Sequence, residues 1–561
     1  MMTKGRISPT LNVQGLTRTG PVRISSRKQS LILAMIEAGF RDQQIHAFFS
    51  QPGGDFNHNR VAALRKRRAQ RDPSLPSAVS ETELQAFIDG WISHRGLPDP
   101  FSAWWANGAD ASLWRVEYHF HPVGQGLLHS GALRQGRRRP FAWIYDCGSR
   151  SSQIALEAEL DGIPPAIAAA GGTATLGLVT LSHFDQDHVS GLVHLLGIVQ
   201  IEILLLPFLP LWQRLWIAAA AESLDVDFLT FLVDPTGYIA AAADDGGRPR
   251  PRIVFVGASD PDAPPGPPAP AGPAPDDGTA GDGADRPDPD PPRDRKKRPD
   301  RDGDGDDRPM QLRLETDPAP NVVAGEIAGV TGGGFGIAEF LKVESVLEID
   351  GLWEFVPYND ARQVQQCPAG FPAKIEPLVK ALLAAPDEPA RKNAFDVLKG
   401  EYTRTFGATG YRKNVISLFL YAGPVQDPTD ADFWTGRVDR GGRVKSWCRD
   451  NTRPAPGRFA LLFTGDGFLS TKPRRDAFAS FYRAYRRLER SAVFQVMHHG
   501  ASPNSSDEVA PLVAPVASIF SSDPAHFDRH PDADVLRQFW PYNCIQVDAV
   551  NGWGLRGVFE F

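Results

Sequence analysis

Three apolar runs in this sequence break off abruptly into histidine and aspartate. "ATLGLVTL" (Ala174–Leu181) runs into "SHFDQDH", "LLFTGDG" spans Leu461–Gly467, and "FQVMHHG" spans Phe494–Gly500. Continuous apolar runs of this length read as strands buried on both faces. Each strand therefore delivers polar side chains to its C-terminal end, where a rigid sheet holds ligands and reacting groups in place. The first run is the densest, with His183, Asp185, Asp187 and His188 within six residues. A lone strand-end histidine is ordinarily a hydrogen-bonded structural residue, and a lone TGD is a turn. Three such ends in one chain argue for a shared site. Imidazole and carboxylate together suit Zn²⁺, Mn²⁺ or Fe²⁺.

The rest of the chain is organised around that body. Its 561 residues leave room for several domains. No apolar run is long enough to span a membrane. The first residues, "MMTKGRISPTLNVQG", have no apolar signal core. Cys147, Cys367, Cys448 and Cys544 are scattered without a CxxC, which points to a reducing, cytoplasmic setting rather than a disulfide framework. The net charge of −7 hides an asymmetry. Up to Asp72, Lys and Arg far outnumber the acids Glu37, Asp42, Asp55 and Asp72, so an anionic partner is expected for this part.

Within it, Arg27–Gln51 reads as two short helices, with Ser30 as a cap and Gly39 as a stop. Val61–Arg68 reads as a third helix, ending in the basic run Arg65, Lys66, Arg67 and Arg68. Helix, glycine turn and basic helix form a helix-turn-helix-like unit. Those four residues are its candidate nucleic-acid contacts, and a protein-docking role is the alternative. The expected division is a basic helical domain over 1–75, a linker and helix over 76–112, and an α+β body over 113–259 and 313–561. Between the two parts of the body lies a Pro/Asp-rich insertion over 260–312, too poor in apolar side chains to fold. Its "DRDGDGDD" imitates the start of an EF-hand loop, but Gln311 holds the twelfth position and Pro309 intrudes.

The strand-end motifs carry a resemblance. In order, they are "HPVGQG" (His121–Gly126), "IYDCGS" (Ile144–Ser149), "LSHFDQDHVSGL" (Leu181–Leu192), "NVISLFL" (Asn414–Leu420), "LLFTGDG", "MHHGASPNS" (Met497–Ser505) and "HFDRHPDADVL" (His526–Leu536). As a set they resemble the metallo-β-lactamase superfamily, and most of all the metallo-hydrolase domain of ComEC-type DNA-uptake proteins. The resemblance covers Leu113 to the C-terminus, apart from the insertion. It implies a four-layer αββα sandwich holding two divalent ions, Zn or Mn. It places His183 and Asp185 toward a first metal and Asp187 and His188 at a second. Asp466 would bridge them, and His498 or His499 would complete the second site. Asp187 would also orient the attacking water, and His530 would sit over the cleft as a late ligand or a phosphate contact. Asp146 would shape the floor.

Two departures bear on this reading. The common superfamily motif is HxHxDH, whereas this chain has HxDxDH, with Asp185 at the second position; ComEC-type members share the change. No histidine lies between His194 and His498, so the usual third histidine of the first metal site is missing from its interval. A site richer in oxygen donors moves preference from Zn²⁺ toward Mn²⁺. The expectation is a dinuclear phosphodiesterase acting on DNA or RNA, in which bound metal activates water at neutral pH. Basic clusters at Arg137–Arg139, Arg437–Arg453 and Lys472–Arg475 would add sequence-independent phosphate contacts. The alternatives are a small-molecule hydrolase, acting on a cyclic nucleotide, lactone or thioester, and a non-catalytic binding module. No membrane partner is expected, and oligomeric state is open.

Overall fold

Runs rich in Val, Ile, Leu and aromatic residues fit a pleated, buried surface, and here they pair into two mixed sheets. The computed structural model describes residues 26–40, 42, 45, 58–84, 113–136, 138–169, 172–220, 226–266, 310–318, 338–343, 345–360, 367–407, 417–438, 444–449, 458–526 and 528–561. The chain divides into two compact units, Met1–Pro100 and Phe101–Phe561.

In the larger unit the strands are β1 (Trp114–Phe120), β2 (Gly126–Gln135), β3 (Phe141–Ser149), β4 (Thr175–Thr180), β5 (Gln200–Pro207), β6 (Arg252–Val256), β7 (Leu312–Arg313), β8 (Thr316–Pro318), β9 (Ala338–Leu341), β10 (Leu347–Ile349), β11 (Trp353–Asn359), β12 (Leu418–Pro424), β13 (Asp430–Val438), β14 (Val444–Arg449), β15 (Ala460–Phe463), β16 (Ser491–Gln495), β17 (Ala517–Ser521), β18 (Cys544–Val547) and β19 (Gly552–Glu560). The first sheet runs β14-β13-β19-β1-β2-β3-β4-β5-β6-β9-β8 and the second β18-β17-β16-β15-β12-β11-β10-β7. Each has an antiparallel part and a parallel part. The parallel pairs are β3 through β6 to β9 in the first sheet and β15 through β18 in the second. Parallel strands bring their C-terminal ends to one edge, so β4, β15 and β16 end where their histidines and aspartates are needed.

Three apolar layers hold the sheets. Tyr118, Trp143, Leu178 and Leu205 from the first sheet share one buried cluster with Trp353, Leu420, Leu461, Val493 and Ile519 from the second. Helices Gln153–Asp161, Leu192–Ile198 and Leu211–Ala220 contribute Leu156, Leu195 and Leu215 to a second cluster with Ile144, Leu176 and Leu204. Helices Lys472–Arg483 and Ala533–Phe539 contribute Phe478, Tyr482 and Phe539 to a third with Tyr421, Leu462 and Phe494. Side chains of this size each gain about 1.5–3 kcal/mol on full burial. The two sheets are also tied at the edge that carries these histidines and aspartates, where the Leu418 amide donates to the Ser182 carbonyl at 2.6 Å. No helix among the described residues is long and apolar enough to cross a membrane.

The alternation of β1 suggests one wet face, but all seven residues are buried. Its polar residues are held by one another and by β19: His119 Nε2 lies 2.8 Å from Glu117, and Arg556 lies 3.6 Å from the same carboxylate. Ahead of β4 the chain forms two helices, Gln153–Asp161 and Ile163–Ala169, parted at Gly162.

In the smaller unit, helix Ser26–Glu37 starts one turn ahead of Ser30, and Gly39 follows it with φ +84°. Helix His58–Ala69 packs Val61 and Leu64 against Ile32, Met35, Ile45 and Leu84. Leu75, Ala78 and Val79 join that cluster, so this unit extends past the boundary expected at 75. Of the helix expected over 41–49, only Asp42 and Ile45 are among the described residues. The insertion's 267–309, with its EF-hand-like stretch, lies outside the described residues; Met310 is buried as the chain re-enters.

Candidate metal centre

The loop after β4 is set by groups behind it. Asp146, near the end of β3, is fully buried with φ +56°. Its carboxylate accepts from the Ser182 amide and hydroxyl, both at 2.6 Å, and from His188 Nδ1 at 2.7 Å. A carboxylate behind an imidazole fixes the ring's orientation and leaves Nε2 to face forward. The loop backbone presses on Gly148, where a Cβ would meet the His188 nitrogen at 2.3 Å. Asp187 and His188 then sit on the one-turn helix Gln186–Val189, both buried.

The other half comes from the second sheet. The turn after β15 places Asp466, and Gly465 with φ +50° leaves no room for a side chain beside Ser417 and Ser182. Buried Gln495 clamps this turn: its Oε1 accepts from the Thr464 and Gly465 amides at 2.9 and 2.7 Å. After β16, His498 and His499 both adopt left-handed backbone, φ 45° and 57°. Such conformations cost about 1–2 kcal/mol for a residue with a Cβ and persist where the surroundings over-determine them. Here the His498 amide is held by the Gly465 carbonyl at 3.0 Å. His498 Nδ1 meets Asn504 Oδ1 at 2.8 Å, and His499 Nδ1 meets the Ser521 carbonyl at 2.5 Å. Asn504 also donates to the Asp466 carbonyl at 2.8 Å.

The result converges on Asp466. Its Oδ1 lies 3.1 Å from His188 Nε2 and 3.7 Å from His499 Nε2. Its Oδ2 lies 3.5 Å from His183 Nε2 and 3.4 Å from His498 Nε2. Asp187 Oδ2 is 3.2 Å from His499 Nε2. Asp187, His188, Asp466 and His499 each offer a ligand atom within 4.8 Å of the others, and all four are buried.

Burial pushes the Asp466 carboxyl up, but His498, His188, His499 and His183 outweigh it and hold the group well below its ordinary range. Asp187 is likewise lowered against its burial, by its hydrogen bond to His499 and the charge of His188. Burial would strip the protons from His188 and His499, yet Asp466 with Asp146, and Asp466 with Asp187, raise them. His183 Nε2 and His188 Nε2 are buried without a hydrogen-bond partner. Orphaned imidazole nitrogens around ionised carboxylates form a donor set that fits divalent transition metals.

Of the remaining expected residues, Asp185 stands at the N-cap of the Gln186–Val189 turn, makes no capping bond and is not part of the four-residue cluster. His530 stands beside the centre, its ring 6.0 Å from His498 and its Nδ1 3.6 Å from Asp532. Burial and the neighbouring His498 and His499 lower its pKa.

Among the described residues, much of the basic charge is matched internally; Arg137 and the side chains of the Arg437–Arg453 cluster lie outside them. Arg65 pairs with Asp42 at 2.7 Å, Arg67 with Asp72 at 2.8 Å, and Arg68 with Glu37. Arg138 pairs with Asp350, Arg474 with Asp360 at 3.5 Å, and Arg475 with Glu508. Lys66 is exposed at the surface of its unit. Ser182, Gln495 and Asn504 are supports that the sequence reading passed over; a polar residue inside or just after an apolar strand is the signal that could have marked Gln495. No family model matches the chain, and no curated protein is significantly similar to it.

Proposed function

We propose that this chain is a hydrolase of the metallo-β-lactamase type, a four-layer αββα sandwich that holds two divalent ions and cleaves phosphodiesters in nucleic acid. The observation that carries the reading is the division of Asp466. Its two oxygens face two separate histidine sets, His188 with His499 and His183 with His498, as a bridging carboxylate would. On this reading Asp187, His188 and His499 hold one ion with Asp466. His183 and His498 hold the other, so His498 supplies the histidine missing from the 194–498 interval.

Two such ions, Zn²⁺ or Mn²⁺, supply a nucleophile at neutral pH and neutralise charge on the phosphate. The chain's own groups do the rest. Asp146, Asn504 and the Ser521 carbonyl hold Nδ1 of His188, His498 and His499, presenting each Nε2 to the cleft. Ionised Asp187 orients the attacking water by accepting a hydrogen bond from it. His530, its pKa lowered, offers a neutral N–H to a phosphate oxygen at the rim.

The internal pairing of the arginines favours a second reading, hydrolysis of a small phosphodiester, because a groove that tracks a nucleic-acid backbone needs cations with charge to spare. One experiment separates the readings: metal content of the purified chain, with cleavage of single- and double-stranded oligonucleotides and of bis(p-nitrophenyl) phosphate in Mn²⁺, beside Asp187→Ala and His188→Ala. About two ions per chain and oligonucleotide cleavage lost in both variants is the expected result. Hydrolysis of the small ester alone would move the substrate to a small molecule. A chain without metal or cleavage would leave a binding module.

A further inference from the structure

Strand β2 puts a histidine among apolar neighbours. Leu127 and Leu133 belong to the core between the sheets, and a Cβ on Gly131 would meet Trp143 of that core. With the period of two that a strand imposes, His129 faces the same way. It is fully buried. Its ring lies 4.7 Å from that of Phe120 on β1 and 4.6 Å from that of Phe463 on β15, at 64° and 65°. Tyr118 and Trp143 stand at 6.1 and 6.4 Å. The imidazole is thus boxed by rings from both sheets. Among the described residues neither of its nitrogens has a hydrogen-bond partner, and a buried polar group left so asks for a reason.

Charge decides what such a box tolerates. Moving an unpaired ion out of water costs far more than moving a neutral polar group. Aromatic faces attract a cation, but they return only part of the hydration that burial removes. The described titratable groups around the ring supply no counter-charge. His121 and His119 oppose a further positive charge. The Tyr118 hydroxyl donates to the Phe459 carbonyl at 3.4 Å. The hydroxyl of Tyr145, the cross-strand neighbour on β3, donates to the Leu418 carbonyl at 2.7 Å. Burial holds both phenols protonated. Burial first, then His121 and His119, keep the His129 pKa well below its ordinary value.

We propose that His129 is an acid-sensitive lock between the two sheets: it packs only as the neutral imidazole, and it holds a proton only where the sheets part around it. The lock is independent of any metal and of the reaction proposed above. Phe463 also stacks on Tyr145 at 4.3 Å. The first ring leads into the turn of Asp466, and the second immediately precedes Asp146. Opening here would therefore loosen a candidate ligand and the support behind His188 in one step. The unfolded chain takes up this proton at about pH 6.5. The lock's contribution is complete above that value. It is lost as pH falls below it, by up to about tenfold in the folding constant per pH unit, until the lowered folded value is reached.

The test is urea unfolding of the full chain from about pH 8 down to about pH 5, in chelator so that no metal contributes, with His129→Phe and His129→Leu in parallel. The other titrating groups are common to all three chains and cancel in the comparison. Above about pH 7 each variant should keep a constant separation from the wild type, whatever its size. Below about pH 6.5 each should gain on the wild type, by up to about tenfold in the folding constant per unit. Parallel profiles throughout, or a wild type that gains on its variants in acid, overturn the lock. Should neither variant fold, deuterium exchange at the histidine C2 position, read by mass spectrometry on the wild type, decides the matter. His129 should exchange at least tenfold more slowly than the partly exposed His194 and show no titration while the chain stays folded. An ordinary imidazole titration at His129 in the folded chain overturns the proposal.

Discussion

The metal centre and the arginine-rich stretch from Lys472 to Arg490 are both dense in charge, and they are wired in opposite ways. In the centre, His183, His188, His498 and His499 converge on one carboxylate, Asp466. In the stretch, arginines are matched by acids spread through the fold: Arg474 pairs with Asp360, Arg475 with Glu508, Arg487 with Glu354 at 2.8 and 2.9 Å, and Arg486 and Arg490 both with Asp427 at 2.7 Å. Pairing of this kind commits the charge to holding the fold together. Convergence gathers donor atoms into a set that could hold an ion. Charge density in a sequence therefore says little until its partners are known.

The contrast can be broken most forcefully at Arg487, which is fully buried with Glu354. Arg487→Met strands a buried carboxylate and should cost about 3–5 kcal/mol of stability, read by urea unfolding, with metal content unchanged. Adding Glu354→Leu should recover most of that loss. A drop in metal content in the single variant would show that the two regions are not independent. At the centre, Asp146→Asn should lower metal affinity about 10–100-fold, measured by competition with a chelator, with a far smaller change in stability than at Arg487.

Acid sharpens the same distinction. His188 and His499 have pKa values raised by folding. Their stabilising contribution is complete below the unfolded value of about 6.5 and is lost as pH rises through the raised folded values. Asp187 and Asp466 are depressed, so their contribution is present above the unfolded carboxylate value and is lost as pH falls through the depressed ones. A divalent ion must displace the imidazole protons, so its affinity should climb from pH 6 to pH 8, by up to about tenfold per unit for each proton released. A flat profile would mean that these imidazoles are not ligands. The smallest effect belongs to the small unit: Arg65→Ala, at a half-exposed pair, should cost less than about 1 kcal/mol in thermal unfolding.

Much of the candidate cluster was legible because its side chains sit where apolar runs end. His183, Asp187, His188 and Asp466 each follow a strand that composition alone marks as buried. The choice between His498 and His499 was not legible, since it depends on two left-handed backbone angles, and both side chains turn out to face Asp466. The supports Ser182, Gln495 and Asn504 were missed because a hydrogen bond across the fold leaves no spacing in the sequence. The same blindness explains the basic clusters. Arg474 and Asp360, or Arg487 and Glu354, are more than a hundred residues apart in the chain, so their pairing does not show until the sheets close. The N-terminal unit's boundary shifted for a packing reason, because Leu84 completes a core that Ile32 and Val61 begin.

The candidate ligands of the centre are divided between the two sheets. His183, Asp187 and His188 follow β4, whereas Asp466, His498 and His499 follow β15 and β16. An ion seated among them would rivet one sheet to the other, and the chain could not unravel without releasing it. At a free concentration one hundred times its dissociation constant, such an ion adds about 2.7 kcal/mol to the folded state. The protein's lifetime under proteolysis would then follow the supply of the metal, with starved copies cleared first. A site built for chemistry would double as a quality check on which copies are equipped to perform it.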